Sequence, residues 1–269
     1  MEYVTTQGVD VPALGFGTYP MRGETCQTAV HQALETGYRH VDTAQMYNNE
    51  RAVGQAIAAA DVPRDDILLV TKILRQNLAH DDVLESVEES HERLATDIDL
   101  LLIHSPSRSI PIEESIAAMN DLQERGTVRH IGVSNFSVGQ LQDAIAASDT
   151  PILTNQVEYH PFKEQADLLE FCIENEVMLT AYSPLAEGRV IGNDRLKGIG
   201  ARYGKTEAQV ALRWLLQQEQ VSAIPKASSP AHIQANFNVF DFELTDEEMT
   251  QIFDLQGGLL TRLQTALGL

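Results

Sequence analysis

Lysine is nearly missing from this chain. Lys72, Lys163, Lys197, Lys205 and Lys226 are the whole set, and 19 basic residues face 39 acidic ones, for a formal charge of −20 over 269 residues. A field of that sign repels nucleic acid and anionic membrane, so neither is an expected partner. An acid-rich, lysine-poor surface suits a cytoplasm of multimolar salt, where screening removes the self-repulsion; an ordinary acidic protein is the plain alternative. Cysteine is scarcer still. Cys26 and Cys172 stand far apart in helix-like segments, which argues against a disulfide or a metal pair and leaves two buried free thiols. No run approaches the roughly 18 uninterrupted apolar residues of a membrane span. The opening MEYVTTQGVDVPALGFG has no basic-then-apolar secretory pattern. These absences point to the cytoplasm, with no metal centre expected. A G-x-G-x-x-G turn is missing too. LGFGTYPMRG carries Gly15 and Gly17 but has Pro20 at the third position, which argues against an open, doubly wound sheet.

What is present is alternation. Strand-like runs at 14–18, 38–42, 66–72, 98–104, 130–134, 152–158, 177–183 and 221–226 are separated by helix-like stretches at 25–36, about 50–60, about 81–95, 113–124, 138–147, 163–174 and near 206–217, with 231–238 read as the last helix. Eight such units predict an α/β fold, a closed (β/α)8 TIM barrel. Asp81, Ser137 and Thr206 read as helix caps, with Glu207 in the first turn after Thr206. EYVTTQGVDVPA alternates about a glycine and reads as an N-terminal β-hairpin cap, a lid on the barrel floor. No Gly/Ser linker or repeat divides the chain, so 1–269 is expected to be a single domain. Apolar residues at helical spacing from Leu259 give a short C-terminal tail: a helix packed on the barrel, or a pocket wall or dimer contact. A monomer or weak homo-oligomer is expected.

Each barrel strand that ends on a polar group is informative, because such a group is expensive to bury alone and reactive groups of barrels sit at strand C-termini. YRHVD ends at Asp42, DILLVTK at Lys72 and DIDLLLIH at His104; Tyr47 lies five residues past Asp42. Neighbouring strands are about 4.8 Å apart, so the carboxylate, amine and imidazole fall within about one side-chain length. Ser134, Asn135, Gln156, Tyr182 and Lys226 extend the polar rim. One or two such residues have a structural explanation in a local hydrogen bond; a ring of them does not. A buried Lys72 needs a partner, and Asp42 is nearest. A cation beside a phenol lowers the phenol's pKa from about 10, making Tyr47 a usable general acid, and His104 can orient a carbonyl.

The segments VDTAQMYNNE, LLVTKI, LLIHSP, GVSNF, NQVEYHP, AYSPL and IPKASSPAHIQANFNVFDF, in that order, resemble the successive signatures of the aldo-keto reductase superfamily, most of all prokaryotic members similar to 2,5-diketo-D-gluconate reductases. The resemblance implies NAD(P)H-dependent reduction of aldehydes and ketones, with a small-molecule carbonyl as substrate. It implies Tyr47 as proton donor tuned by Asp42 and Lys72, and His104 on the carbonyl. Ser134, Asn135 and Gln156 match positions that hold the nicotinamide carboxamide, and Tyr182 the ring that stacks on it. Ser183, Leu185 and Gly188 fall in the loop that crosses the pyrophosphate, and Gly17, Thr18 and Tyr19 at the end of the first strand. Lys226, Ser228, Ser229, His232 and Asn236 fall on the adenosine side, and Asp42 belongs to both sets. Tyr19, Tyr47, His104 and Ser105 face substrate. Tyr19 stands where Trp is common, and Ser105-Pro106 where Trp-Pro is frequent. His232 replaces the Arg of NADP-preferring members and Ala235 a Glu. Neutral His cannot form the forked clamp of Arg on phosphate, so NADP(H) is expected with NAD(H) also plausible. Two rival functions are a cofactor-sensing regulatory subunit and a Schiff-base aldolase using Lys72.

Overall fold

A computed structural model describes residues 1–256. The hairpin β1 (Tyr3–Thr6) and β2 (Val9–Pro12) comes first. Eight strands follow: β3 (Phe16–Gly17), β4 (His40–Asp42), β5 (Leu68–Ile73), β6 (Ile98–Ile103), β7 (Val128–Ser134), β8 (Ile152–Glu158), β9 (Met178–Tyr182) and β10 (Val221–Ala223). Between them run α1 (Gly23–Thr36), α2 (Glu50–Ala59), α3 (His80–Leu94), α4 (Ile112–Glu124), α5 (Val138–Ala147), α6 (Ala166–Glu174), α7 (Asp194–Tyr203) and α8 (Glu207–Leu216); α9 (Pro230–Phe237) and α10 (Asp246–Phe253) follow β10.

The strands pair in chain order from β3 to β10, all parallel. Leu14 pairs with Ala223, and Gly15 N and Gly17 N donate to Ala223 O and Pro225 O at 2.9 and 3.0 Å. These bonds close the sheet into the expected (β/α)8 barrel. Gly17 is required at this seam, since a Cβ there would lie 2.7 Å from Ile224 O. Inside the barrel Val70, Leu100, Leu102, Leu153 and Met178 pack with Val11 of the hairpin. Thr6 Oγ1 and Gln7 Nε2 bond Glu176 O and Asn175 O at the start of β9, so the hairpin caps the barrel floor as its sequence predicts. The larger core lies between barrel and helices, where each fully buried aliphatic side chain contributes about 1.5–3 kcal/mol. Cys26 and Cys172 are buried free thiols within it.

Four sequence expectations need correction. Asp81 does not cap α3: Ala79 is the N-cap residue and Asp81 lies in the first turn, paired with His80. The helix expected from Lys163 starts at Ala166. Between the strand-like run at 177–183 and the helix near 206–217, where no helix is expected from the sequence, lies α7, entered through Asn193, whose side chain accepts from Leu196 N. The helix at 231–238 is not the last, because α10 follows with a Thr245–Glu248 capping box. The tail from Leu259 lies outside the described residues. No helix among the described residues is long and apolar enough to cross a membrane.

Candidate active site

β4 and β5 deliver Asp42 and Lys72 to the C-terminal mouth, at 1% and 0% exposure. All three protons of the ammonium are used: Lys72 Nζ donates to Asp42 Oδ1 at 2.6 Å, Thr43 O at 2.8 Å and Tyr47 Oη at 3.3 Å. Burial alone would drive the Lys72 pKa down, yet Asp42 and then Tyr47 hold it above the ordinary lysine value. Asp42 Oδ2 accepts from Gln156 Nε2 at 2.7 Å. A buried ion pair is tolerable when its remaining lone pairs and protons are satisfied in this way.

Tyr47 ends a 3-10 turn, Gln45–Tyr47, that Asn48 closes in the left-handed region. Two side chains that the sequence did not single out fix this loop. Gln45 Nε2 donates to Ser86 O and Ser90 Oγ while its Oε1 accepts from Leu74 N. Asn49 accepts from Thr43 Oγ1 and donates to Thr18 Oγ1 and Met21 O, tying the loops after β3 and β4 together. The expected lowering of the Tyr47 pKa is not what the site shows. Desolvation outweighs the Lys72 charge and the net shift is upward. Tyr47 therefore stays protonated at neutral pH, as a proton donor must. The His104 ring sits edge-on to Tyr47, centroids 5.8 Å apart. Burial, and then Lys72, push its pKa down to about 4, so the ring is neutral. The Tyr19 ring, 57% exposed, lies 5.1 Å from that of Tyr47. Met46, 47% exposed, stands beside Tyr47 in the chain as a further apolar side chain. Ser105 follows His104, half-buried.

β7, β8 and β9 bring the next group together. Ser134 Oγ donates to Gln156 O at 2.8 Å, Asn135 Nδ2 to His104 O at 2.9 Å, and Tyr182 Oη to Asn135 Oδ1 at 3.0 Å. The Tyr182 ring is thus tethered at its hydroxyl and half-buried. A cleft of about 630 Å³ opens beside Asn135 and Tyr182. The loop after β9 places Ser183, Ala186, Glu187 and Gly188 at positive φ, with Leu185 half-buried between them. After β10, Lys226, Ser228 and His232 are exposed. Ser229 caps α9, its Oγ accepting from His232 N, and Thr18 Oγ1 donates to Asp42 O, so these two hydroxyls already have partners. Asn236 is 5% exposed, and its side chain has no hydrogen bond among the described residues. Lys226 likewise has no ion pair among them. A buried side-chain amide without a hydrogen bond, an unpaired cation, a half-buried tyrosine ring and a free Gln156 Oε1, all among the described residues, suit the adenine, phosphate, pyridine and carboxamide parts of a nicotinamide dinucleotide.

The profile of the Aldo/keto reductase family matches residues 13–256. The 9,11-endoperoxide prostaglandin H2 reductase of Trypanosoma cruzi is 40% identical over 252 residues, covering 92% of this chain and 88% of the relative. The crystal structure of a putative 2,5-diketo-D-gluconic acid reductase B superposes with a TM-score of 0.93 at 46% identity, over 95% of this chain and 91% of that one. A Bombyx mori aldo-keto reductase, solved in complex with NADP, superposes with a TM-score of 0.88 at 30% identity, over 98% and 95% of the two chains.

Proposed function

The chain belongs to the aldo/keto reductase family of oxidoreductases, and on that premise we propose that it reduces an aldehyde or ketone to the alcohol with Tyr47 as proton donor. The observation that carries the reading is the Lys72 ammonium, bonded at once to Asp42 and to the Tyr47 hydroxyl. Bound NADPH or NADH supplies the hydride to the carbonyl carbon. Tyr47 Oη gives its proton to the carbonyl oxygen, and the phenolate left behind is stabilised by Lys72 until solvent restores the proton. Neutral His104 holds the carbonyl oxygen near Tyr47. Ser134, Asn135 and Gln156 would hold the carboxamide of such a cofactor, and the Tyr182 ring would stack on its pyridine. The loop of Ser183, Leu185 and Gly188 would hold the pyrophosphate, Lys226 and Ser228 a phosphate, and Asn236 the adenine. With exposed His232 in place of a forked cation, NADPH is favoured only through Lys226 and NADH is accepted.

The substrate is a small carbonyl compound shaped by Tyr19, Met46 and Ser105, and the enzyme works as one cytoplasmic domain. The −20 charge supports adaptation to high salt. The aldolase alternative asks for an unprotonated amine; Lys72 is held protonated by its partners, and nothing in the site favours that chemistry. Replacing Tyr47→Phe keeps the ring and removes the proton. We expect kcat to fall by about 10²–10⁴, as for loss of a general acid, with the dissociation constants of NADPH and NADH nearly unchanged. Near-wild-type turnover of an aldehyde by this variant would sink the assignment.

A further inference from the structure

We infer that Gln156 is a positioning residue for Asp42: its amide holds the carboxylate oxygen that Lys72 leaves free, and so keeps charged the ion pair that supports Tyr47. The inference rests on the reading of Tyr47 as proton donor. Gln156 sits on β8 at 2% exposure and meets Asp42 of β4 across the barrel mouth. A carboxylate only accepts hydrogen bonds, so the amide nitrogen must be the atom facing Asp42. Each Asp42 oxygen then has one side-chain donor, Lys72 Nζ at 2.6 Å and Gln156 Nε2 at 2.7 Å. Without Gln156, Oδ2 is a buried acceptor with no donor, which favours protonation of Asp42 and leaves Lys72 without a fixed counter-charge. The weakened Lys72 in turn supports a developing Tyr47 phenolate less well. The role is separate from holding a cofactor, because one N–H serves Asp42 while the oxygen and the second N–H remain for a ligand.

A glutamate at this position separates the two roles. It keeps oxygen on the ligand side at every pH. Toward Asp42 it works only when protonated, because two carboxyl groups at this distance cannot both be ionised and share one proton with a raised pKa. The other titratable groups facing this layer are quiet near neutrality. His40 and His104 are held neutral by burial, while Lys72 stays protonated against its burial through Asp42. Burial keeps Tyr47 and Tyr182 protonated. Glu158 is partly desolvated, yet its bonds to Lys163 and His160 keep it below the usual carboxylate range.

The test compares wild type, Gln156→Glu, Gln156→Leu and Tyr47→Phe in kcat at saturating NADPH and aldehyde from about pH 5 to 9, with NADPH dissociation constants from cofactor fluorescence at each pH. The loss of a hydrogen bond to a charged group predicts a kcat about ten- to a hundredfold lower for Gln156→Leu at every pH. Gln156→Glu should come within a few-fold of wild type at the acid end and fall at least about tenfold with rising pH, where wild type is flat and the dissociation constant shows no matching step. A Gln156→Glu profile parallel to that of wild type, or a loss that follows the dissociation constant, overturns the inference. If Gln156→Leu does not fold, the titration of Gln156→Glu decides alone, since both limbs come from one polypeptide. Turnover retained in Tyr47→Phe sinks the proton-donor reading, a different outcome from either.

Discussion

Burial acts in opposite directions on the two groups flanking the place where a carbonyl would sit. It raises the pKa of the Tyr47 phenol and lowers that of the His104 imidazole to about 4, and in both cases the neutral, hydrogen-bonding form is the one kept. His40, fully buried with Nε2 unpartnered, is lowered as well. These histidines carry a stability consequence. The folded chain binds fewer protons than the unfolded chain, whose histidines titrate near 6.5, so their contribution is complete above about pH 6.5 and is lost as pH falls toward 4. We expect the melting temperature to drop through that window and the drop to be shallower in His104→Asn. A melting temperature constant from pH 6.5 to 4 would count against the neutral-imidazole assignment. Asp42, Lys72 and His104 were legible in the sequence because each is a polar group within one residue of the end of an apolar strand. The upward shift of Tyr47 was not, since it depends on how much solvent the loops after β3 and β4 exclude. The Gln156–Asp42 bond joins residues 114 apart, a pairing that no local pattern encodes.

At the scale of elements, capping chemistry separates the helices read correctly from those misread. Thr206 accepts from Gln209 N and the Gln209 side chain returns to the Thr206 backbone. The helix so started, α8, is buried from Gln209 to Leu216 and includes Trp214. Asp81 carries no cap, and its side chain is fully exposed beside His80. We therefore expect Thr206→Ala to lower unfolding stability by about 1 kcal/mol and Asp81→Ala to change it by less than about 0.5 kcal/mol, both by urea titration. Equal losses would restore Asp81 as a cap. The same chemistry explains two omissions. α10 begins T-D-E-E, a capping-box pattern present in the sequence, but it is only eight residues long. α7 holds Gly198 and Gly200, which weaken a helical pattern. Gly200 is needed there because a Cβ would lie 2.3 Å from Lys205 O, in the turn that ends α7 with Lys205 N bonded back to Gly200 O.

Across the whole molecule the loops at the two ends of the barrel differ in the sign of their charge. The loops leading from strand to helix at the mouth carry Arg22, Arg75, Arg108, Lys163, Arg189 and Lys226 against Glu164 and Glu187. The loops leading from helix to strand at the floor carry Asp61, Asp65, Asp66, Asp97, Asp149, Glu176 and Glu219 against Arg39, Arg64 and Arg125. The first helical turns at the same end carry further acids, among them Glu24, Asp81, Asp82, Glu113 and Glu114, so the excess of basic residues is confined to the loops. In a chain of −20, these loops are where an anionic dinucleotide, on the proposed function, would meet cations while the rest repels itself. Salt acts on both terms. The Debye length shrinks from about 30 Å at 0.01 M to about 3 Å at 1 M, which relieves the self-repulsion and also screens the attraction at the mouth. Raising KCl from about 0.01 M to 1 M should therefore raise the melting temperature of the free protein while weakening NADPH binding several-fold, chiefly through slower association. Thermal melts and stopped-flow fluorescence over one KCl series measure the two effects on the same preparation. A melting temperature indifferent to salt would remove the salt-adapted reading, and an association rate indifferent to salt would show that the mouth cations do not steer the cofactor.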